Sequence, residues 1–206
     1  MSTIEWYNIN ALIFSSSQAA LLLSFFTTWL IIRQTVGKDA ANHASNLFFA
    51  YVLVWKFSSV LFYWDFIWRA PMSVIYYNGG LYGMWIATIT VVILYAIRVK
   101  KQEEWRKIGI KTWVLVLLLF EGYKAVLTYS MWTDGLWIAG YLFILIGVLT
   151  PKIALLKEAP FMTLLVVLAL QWLSSSINGE AFHQPLLAGW LISAVLMVFN
   201  RKEIKS

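Results

Sequence analysis

Residues 81–120 read LYGMWIATITVVILYAIRVKKQEEWRKIGIKTWVLVLLLF. An apolar run ends at Ile97. A basic stretch follows, with Arg98, Lys100, Lys101, Arg106, Lys107 and Lys111, and a second apolar run begins at Thr112. Each run is close to the length of about 20 apolar residues that crosses a bilayer as a helix. Cations between two such runs mark a cytoplasmic loop, because Lys and Arg beside short spans are retained on that side. The stretch from Arg98 to Lys111 also carries Glu103 and Glu104, and it is expected to prolong the upstream helix into the cytoplasm before a turn at Gly109. It reads as a solvated, orientation-setting segment rather than a specific lipid or partner site.

The same alternation continues along the whole chain. Of 206 residues, 61% are apolar, 17% aromatic and 13% charged, against about 45–50% apolar and about 25% charged in a soluble domain. That balance argues against a cytosolic protein and leaves no room for a separate soluble domain, so residues 1–206 are expected to form one membrane domain. Seven spans are expected: from about Ala11 to Ile32, Ala44 to Tyr63, after Gly79-Gly80 to Ile97, Thr112 to Tyr129, Leu136 to Leu149, Phe161 to Ser175 and Leu186 to Phe199. The first apolar stretch lacks the basic start and cleavage site of a signal peptide and reads as a permanent helix.

The basic residues test that count. Arg33, Lys38, the six cations named above, Lys152, Lys157, Arg201, Lys202 and Lys205 all fall on one side. The other side holds Arg69 alone, and Lys56 and Lys124 lie inside spans. One span more or fewer would scramble the sorting. The expected fold is therefore all-α, a polytopic integral membrane protein of seven transmembrane helices with the N-terminus outside and the C-terminus cytoplasmic. Trp6, Trp64, Trp68, Trp132 and Trp137 then fall near the outer interface and Trp29, Trp105 and Trp113 near the inner one, where amphipathic rings are accommodated.

Several chemistries are excluded by composition. Without cysteine there is no disulfide framework, thiol nucleophile or cysteine-held metal. Two histidines, His43 and His183, make a histidine metal site improbable, so neither metal nor cofactor is expected. The net charge of +6 is accounted for by topology and implies no nucleic-acid partner. The last span has no lysine for a retinal Schiff base, and the two halves show no matching broken helices of an inverted-repeat transporter.

Candidate site residues are the polar groups that sit among apolar ones. Lys56, Glu121 and Lys124 lie inside apolar runs, where a charge costs about 2.5–3.5 kcal/mol on insertion scales and needs a partner or a cavity. Glu121 and Lys124 are three apart on one helix face and able to pair. With Lys56 they form either a buried ionic cluster that fixes helix packing or a ligand site. Asn78-Gly79-Gly80, followed by Gly83, permits close backbone approach, to a neighbouring helix or to a lipid head group. Asp65, Arg69, Asp134, Glu180 and His183 are placed on the outer face as solvated residues. Ser174-Ser175-Ser176 has no Ser–His–Asp arrangement to make it a nucleophile.

Val60-Leu61-Phe62-Tyr63, then Pro71, Gly79-Gly80 and an apolar helix ending in Arg98 and Lys100-Lys101 resemble the second and third helices of bacterial prolipoprotein diacylglyceryl transferases. Thr28-Trp29-Leu30 and Arg33 resemble the end of that family's first helix. Glu121-Gly122-Tyr123-Lys124 falls where the family has a G-R-x-G-N signature, and Gln184-Pro185 before a helix ending in Arg201-Lys202 is similar to its C-terminal arrangement. Motifs carry the resemblance over residues 1–101 and topology carries it beyond.

The resemblance implies transfer of a diacylglyceryl group from phosphatidylglycerol to the lipobox cysteine of a secreted precursor, in a bacterial plasma membrane. The chemical groups of the family are altered here. Its histidine is matched by Met84 in one register and by Asn78 in the other, and neither side chain is a base at neutral pH. Lys124 stands for the signature arginine and loses the bidentate fork. The sixth span, where a second arginine belongs, has only Gln171 and Trp172, and the outer loop shrinks to about Ser130 to Gly135. The expected function is that of a catalytically degenerate relative, a pseudoenzyme that binds a membrane phospholipid such as phosphatidylglycerol or docks a protein partner in the membrane. A lipid-modifying enzyme with a rewired site and a small proton-coupled transporter using Glu121 are the alternatives.

Overall fold

A computed structural model describes residues 6–9, 12–72, 79–101, 104–127, 132–149, 160–177 and 184–200. Among these residues seven long helices dominate: α1 (Ser16–Thr35), α2 (Lys38–Phe62), α4 (Gly80–Lys101), α5 (Glu104–Leu127), α6 (Trp132–Leu149), α7 (Pro160–Ile177) and α8 (Gln184–Asn200), with a short α3 (Trp64–Arg69) after α2. Two of them, α2 and α4, are long and apolar enough to cross a membrane. Asn78, Lys152, Lys157, Glu180, His183 and residues 201–206 lie outside the described residues.

The first expected span starts later than Ala11. Strands β1 (Trp6–Ile9) and β2 (Leu12–Ser15) pair antiparallel, with Trp6 opposite Ser15 and Ile9 opposite Leu12, and the helix begins only at Ser16. The reason is a capping box: Gln18 N–H donates to Ser15 Oγ and Ser15 N–H donates to Gln18 Oε1, both at 3.3 Å. At the other end of α1 the N–H groups of Val36 and Gly37 both donate to the Ile32 carbonyl. Gly37 has φ +132°, a left-handed backbone that glycine adopts without strain, so α2 can start at once at Lys38. This places α1 and α2 side by side.

The basic stretch also differs from expectation. α4 continues to Lys101 and α5 already starts at Glu104, so Gly109 is inside a helix rather than at a turn. It is there because of packing: a Cβ on Gly109 would overlap the Tyr95 ring. Likewise α6 begins at Trp132, within the expected loop from Ser130 to Gly135. Hydropathy marks apolar runs but not their polar extensions, which helices carry past the apolar stretch at no cost.

Apolar side chains cover the exterior as well as filling the core around Leu115, Leu118 and Leu164. Phe49, Leu53, Phe57 and Leu61, spaced by four on α2, are exposed, as are Ile89, Ile93 and Ile97 on α4 and Phe143 on α6. Ser24, Thr28, Ser59 and Thr88 have no exposed surface at all. Only 11% of the most apolar window of α2 is buried inside the fold, where the core helix of a soluble protein would be mostly buried. Five buried hydroxyls are satisfied within their own helices: Ser24 donates to the Leu21 carbonyl, Ser58 to Trp55, Ser59 to Lys56, Thr88 to Met84 and Ser193 to Gly189, whereas those of Ser16 and Thr28 have no hydrogen-bond partner among the described residues.

Five helices close a ring, in which α1 packs on α2, α2 on α4, α4 on α8, α8 on α5 and α5 on α1, while α6 packs against α5, and α7 packs against α5 and α8 and reaches the ring's interior with Gln171. The most extensive pair is α2 with α4. Gly79, Gly83 and Ala87 recur every fourth residue and are buried along that contact, a small-xxx-small stripe that lets two backbones approach closely. Gly79 N–H donates to the Trp55 carbonyl across the contact at 3.0 Å. A Cβ on either glycine would overlap Ser58 Oγ.

Candidate functional site

The ring surrounds an elongated, partly open cavity of about 400 Å3. It extends along α4 from Gly80 to Tyr95, about 22 Å at the helical rise of 1.5 Å per residue. Most of its wall is aliphatic or aromatic. Phe25 on α1 stacks on Phe48 of α2 with centroids 4.4 Å apart and meets Tyr51 edge-on, which builds one side. Val116, Leu117 and Phe120 of α5 and Ile192 of α8 build another.

The polar groups of the wall are neutral. Ser15, Ser17 and Gln18 stand at the end where α1 begins, with Trp55 and Gly80 beside them. Trp55 Nε1 donates to the Gly80 carbonyl at 3.1 Å and closes that edge. Deeper in, Tyr51 is hydrogen-bonded to Thr88, Thr112 Oγ1 donates to the Ile108 carbonyl, and Trp113 Nε1 donates to Ser193 Oγ at 2.9 Å. The far end is formed by Tyr95, Trp105 and Gly109, where the Tyr95 hydroxyl donates to the Trp105 carbonyl at 3.3 Å. Among the described residues the wall has no Asp, Glu, His, Lys or Arg.

The residues singled out from sequence lie on α2, at the start of α4 and on α5. Gly79 and Gly80 pack on the α2 turn from Trp55 to Ser58 that also carries Lys56, and of these Gly80 lines the cavity. Glu121 is 9% exposed on α5 and its Oε1 accepts a 2.8 Å hydrogen bond from Gln171 Nε2 on α7. Lys124 follows one turn later on α5, half-buried, next to Tyr123, whose hydroxyl shares a 2.8 Å hydrogen bond with Thr27 of α1. Glu121 therefore adjoins the cavity through Gln171, which is part of the wall. Asn78 is outside the described residues.

Sequence reading missed Gln171 as a site residue and noted it only where an arginine was lacking. Its signal was available, as the one strongly polar side chain in the apolar run from Phe161 to Leu173. Of the tryptophans expected near the inner interface, Trp105 is 5% exposed, with its ring edge-on to His43 at 4.3 Å, and Trp113 lines the cavity. Trp29 is partly buried against the core, with its ring under the Arg33 guanidinium at 5.1 Å. Among the described residues no three His, Cys, Asp or Glu side chains converge on a metal position.

No protein-family model matches the chain, and neither curated proteins nor solved structures give a match.

Proposed function

We propose that the protein is a seven-span membrane protein that binds a lipid chain in its central cavity without modifying it. The observation that carries this reading is the cavity wall, which is long, apolar and, among the described residues, free of Asp, Glu, His, Lys and Arg for general acid–base work at neutral pH. A volume of about 400 Å3 is at the small end of ligand pockets, roughly 300–1,000 Å3. A length near 22 Å exceeds one leaflet of a hydrocarbon core about 30 Å thick.

The membrane reading rests on the apolar exterior and on where the charges lie. Arg33, Lys38, Arg98, Lys100 and Lys111 gather where α1 ends, α2 starts, α4 ends and α5 starts. Arg98 donates to the His43 carbonyl and Lys111 to Thr35 Oγ1, which ties these ends together. The opposite end carries α3 with stacked, exposed Trp64 and Trp68, as at a lipid–water interface. In this reading the N-terminus is outside, the basic end faces the cytoplasm, and a bacterial plasma membrane is the setting that the family resemblance supports. Because the chain has no cysteine, single substitutions report topology directly. Met72→Cys is expected to react with an impermeant maleimide added outside intact cells, and Lys100→Cys only after permeabilisation; the reverse pattern would invert the topology.

The ancestry we infer is the prolipoprotein diacylglyceryl transferase frame with its chemical groups replaced. Purified from its membrane and analysed for bound lipid, the wild-type chain is expected to retain lipid, and Val92→Trp, which puts an indole into the cavity, is expected to lose it while staying folded. Supplied with phosphatidylglycerol and a lipobox peptide, the wild type is expected to leave the peptide unmodified. Equal lipid content in both chains would reject the cavity as the binding site. A lipidated peptide would support the rewired transferase instead.

A further inference from the structure

The cavity is open at one end and sealed at the other. Among the described residues of its wall only Gly80 and Leu81 are exposed, Leu81 by 40%, and Ser17, Gln18 and Trp55 beside them are half-buried. At the far end Ala44, Tyr95, Trp105 and Leu196 are at most 6% exposed. That end is sealed by packing: the Tyr95 ring lies against Gly109, its hydroxyl donates to the Trp105 carbonyl, and His43 backs the Trp105 indole. At the open end Tyr82, 70% exposed, packs on Phe62 with ring centroids 5.6 Å apart, just before α3 begins with the exposed Trp64. The opening therefore stands at the level where such rings meet the lipid–water interface.

The wall decides which part of a ligand lies where. It has no ionic side chain among the described residues, so a charged or strongly hydrated head group taken inside would lose its water without gaining an ion partner. An alkyl chain there exchanges bilayer for aliphatic and aromatic side chains at no such cost. The head group stays where water reaches it, at the open end, and Ser17 and Gln18 place neutral hydrogen-bonding groups there. At about 30 Å3 for each water-sized group, a cavity of about 400 Å3 takes one chain of on the order of a dozen carbons and not the two chains of a phospholipid. Resting on the lipid-cavity reading above, we propose that the ligand is a single-chain amphiphile that inserts tail first from the α3 end, its head group beside Ser17, Gln18 and Gly80 and its terminal methyl against Tyr95 and Trp105. Gly80 and Leu81 form the lip past which the chain enters, and the Tyr95–Trp105 seal sets its length.

The test uses the wild-type full chain in phosphatidylcholine nanodiscs and two dodecanoyl lysophosphatidylcholines that carry a photoreactive diazirine, one near the terminal methyl and one beside the ester. Crosslinked residues are mapped by mass spectrometry. The terminal label is expected between Val91 and Tyr95 or between Trp105 and Gly109, and the ester-side label between Ser17 and Leu21 or between Gly80 and Met84. A tenfold excess of unlabelled lysolipid is expected to cut both labels by about tenfold, by mass action, and the same excess of didodecanoyl phosphatidylcholine to leave them unchanged. Labels in the reverse order, or each label spread over both ends, would overturn the tail-first orientation while leaving chain binding in the cavity intact. Equal competition by the two-chain lipid would overturn the single chain. Labels that do not saturate, or that fall only on outward residues such as Phe57 and Ile93, would reject the lipid-cavity reading itself.

Discussion

Gly83→Ala is expected to lower the stability of the folded chain by about 1–3 kcal/mol, the usual cost of forcing one extra group into a filled contact. The added Cβ would overlap Ser58 Oγ and lie 3.1 Å from the Trp55 carbonyl oxygen. Trp55 is tied to Gly79 N–H through that same carbonyl and to the Gly80 carbonyl through its indole, so α2 cannot shift without breaking both hydrogen bonds. Combining the change with Ser58→Ala removes the overlapping hydroxyl and leaves Ser58 Cβ at 3.3 Å, which is tight but tolerable. The double variant should therefore recover at least half of the loss, as neighbouring sites with a shared contact do not add. Thermal unfolding in micelles measures both. A Gly83→Ala chain as stable as the wild type would mean that α2 and α4 do not meet through this stripe.

The second large effect is expected at the buried amide–carboxylate pair. Gln171→Leu takes the Nε2 donor from a carboxylate that is 9% exposed, and the fold is expected to lose about 1–3 kcal/mol. Interhelical hydrogen bonds in membrane proteins average only about 0.6 kcal/mol in double-mutant cycles. The larger figure applies because removing one partner leaves the other buried and less satisfied, not because the bond itself is strong. Glu121→Leu combined with Gln171→Leu replaces both groups with apolar ones of similar size and should return most of the lost stability. A double variant no better than the single one would show that Glu121 is held by other neighbours strongly enough that Gln171 is incidental to it.

Hydropathy placed the helices from one-dimensional information because each apolar run must be a helix wherever backbone groups are shielded from water. The runs at Ala44–Tyr63 and Thr112–Tyr129 correspond to α2 and α5, yet both helices extend into polar sequence at their first turns, to Lys38 and Glu104. The capping box at Ser15 and Gln18 is written in the sequence, but an apolar run that begins at Ala11 hides it. The glycine stripe was visible as close-approach residues, while its partner, the α2 turn from Trp55 to Ser58, was not.

What the sequence determined by itself was the local and the compositional: helices where apolar residues run together, with their ends to within about two turns. Only tertiary structure decided which helices close the ring, that Trp105 is buried and Trp113 lines the cavity, and that Gln171 is bonded to Glu121 at the cavity wall. The physical reason is that a cavity belongs to no single element. It is the space left when six helices, each satisfied in its own backbone, meet through contacts far apart in the chain, and nothing in the periodicity of one helix records what faces it.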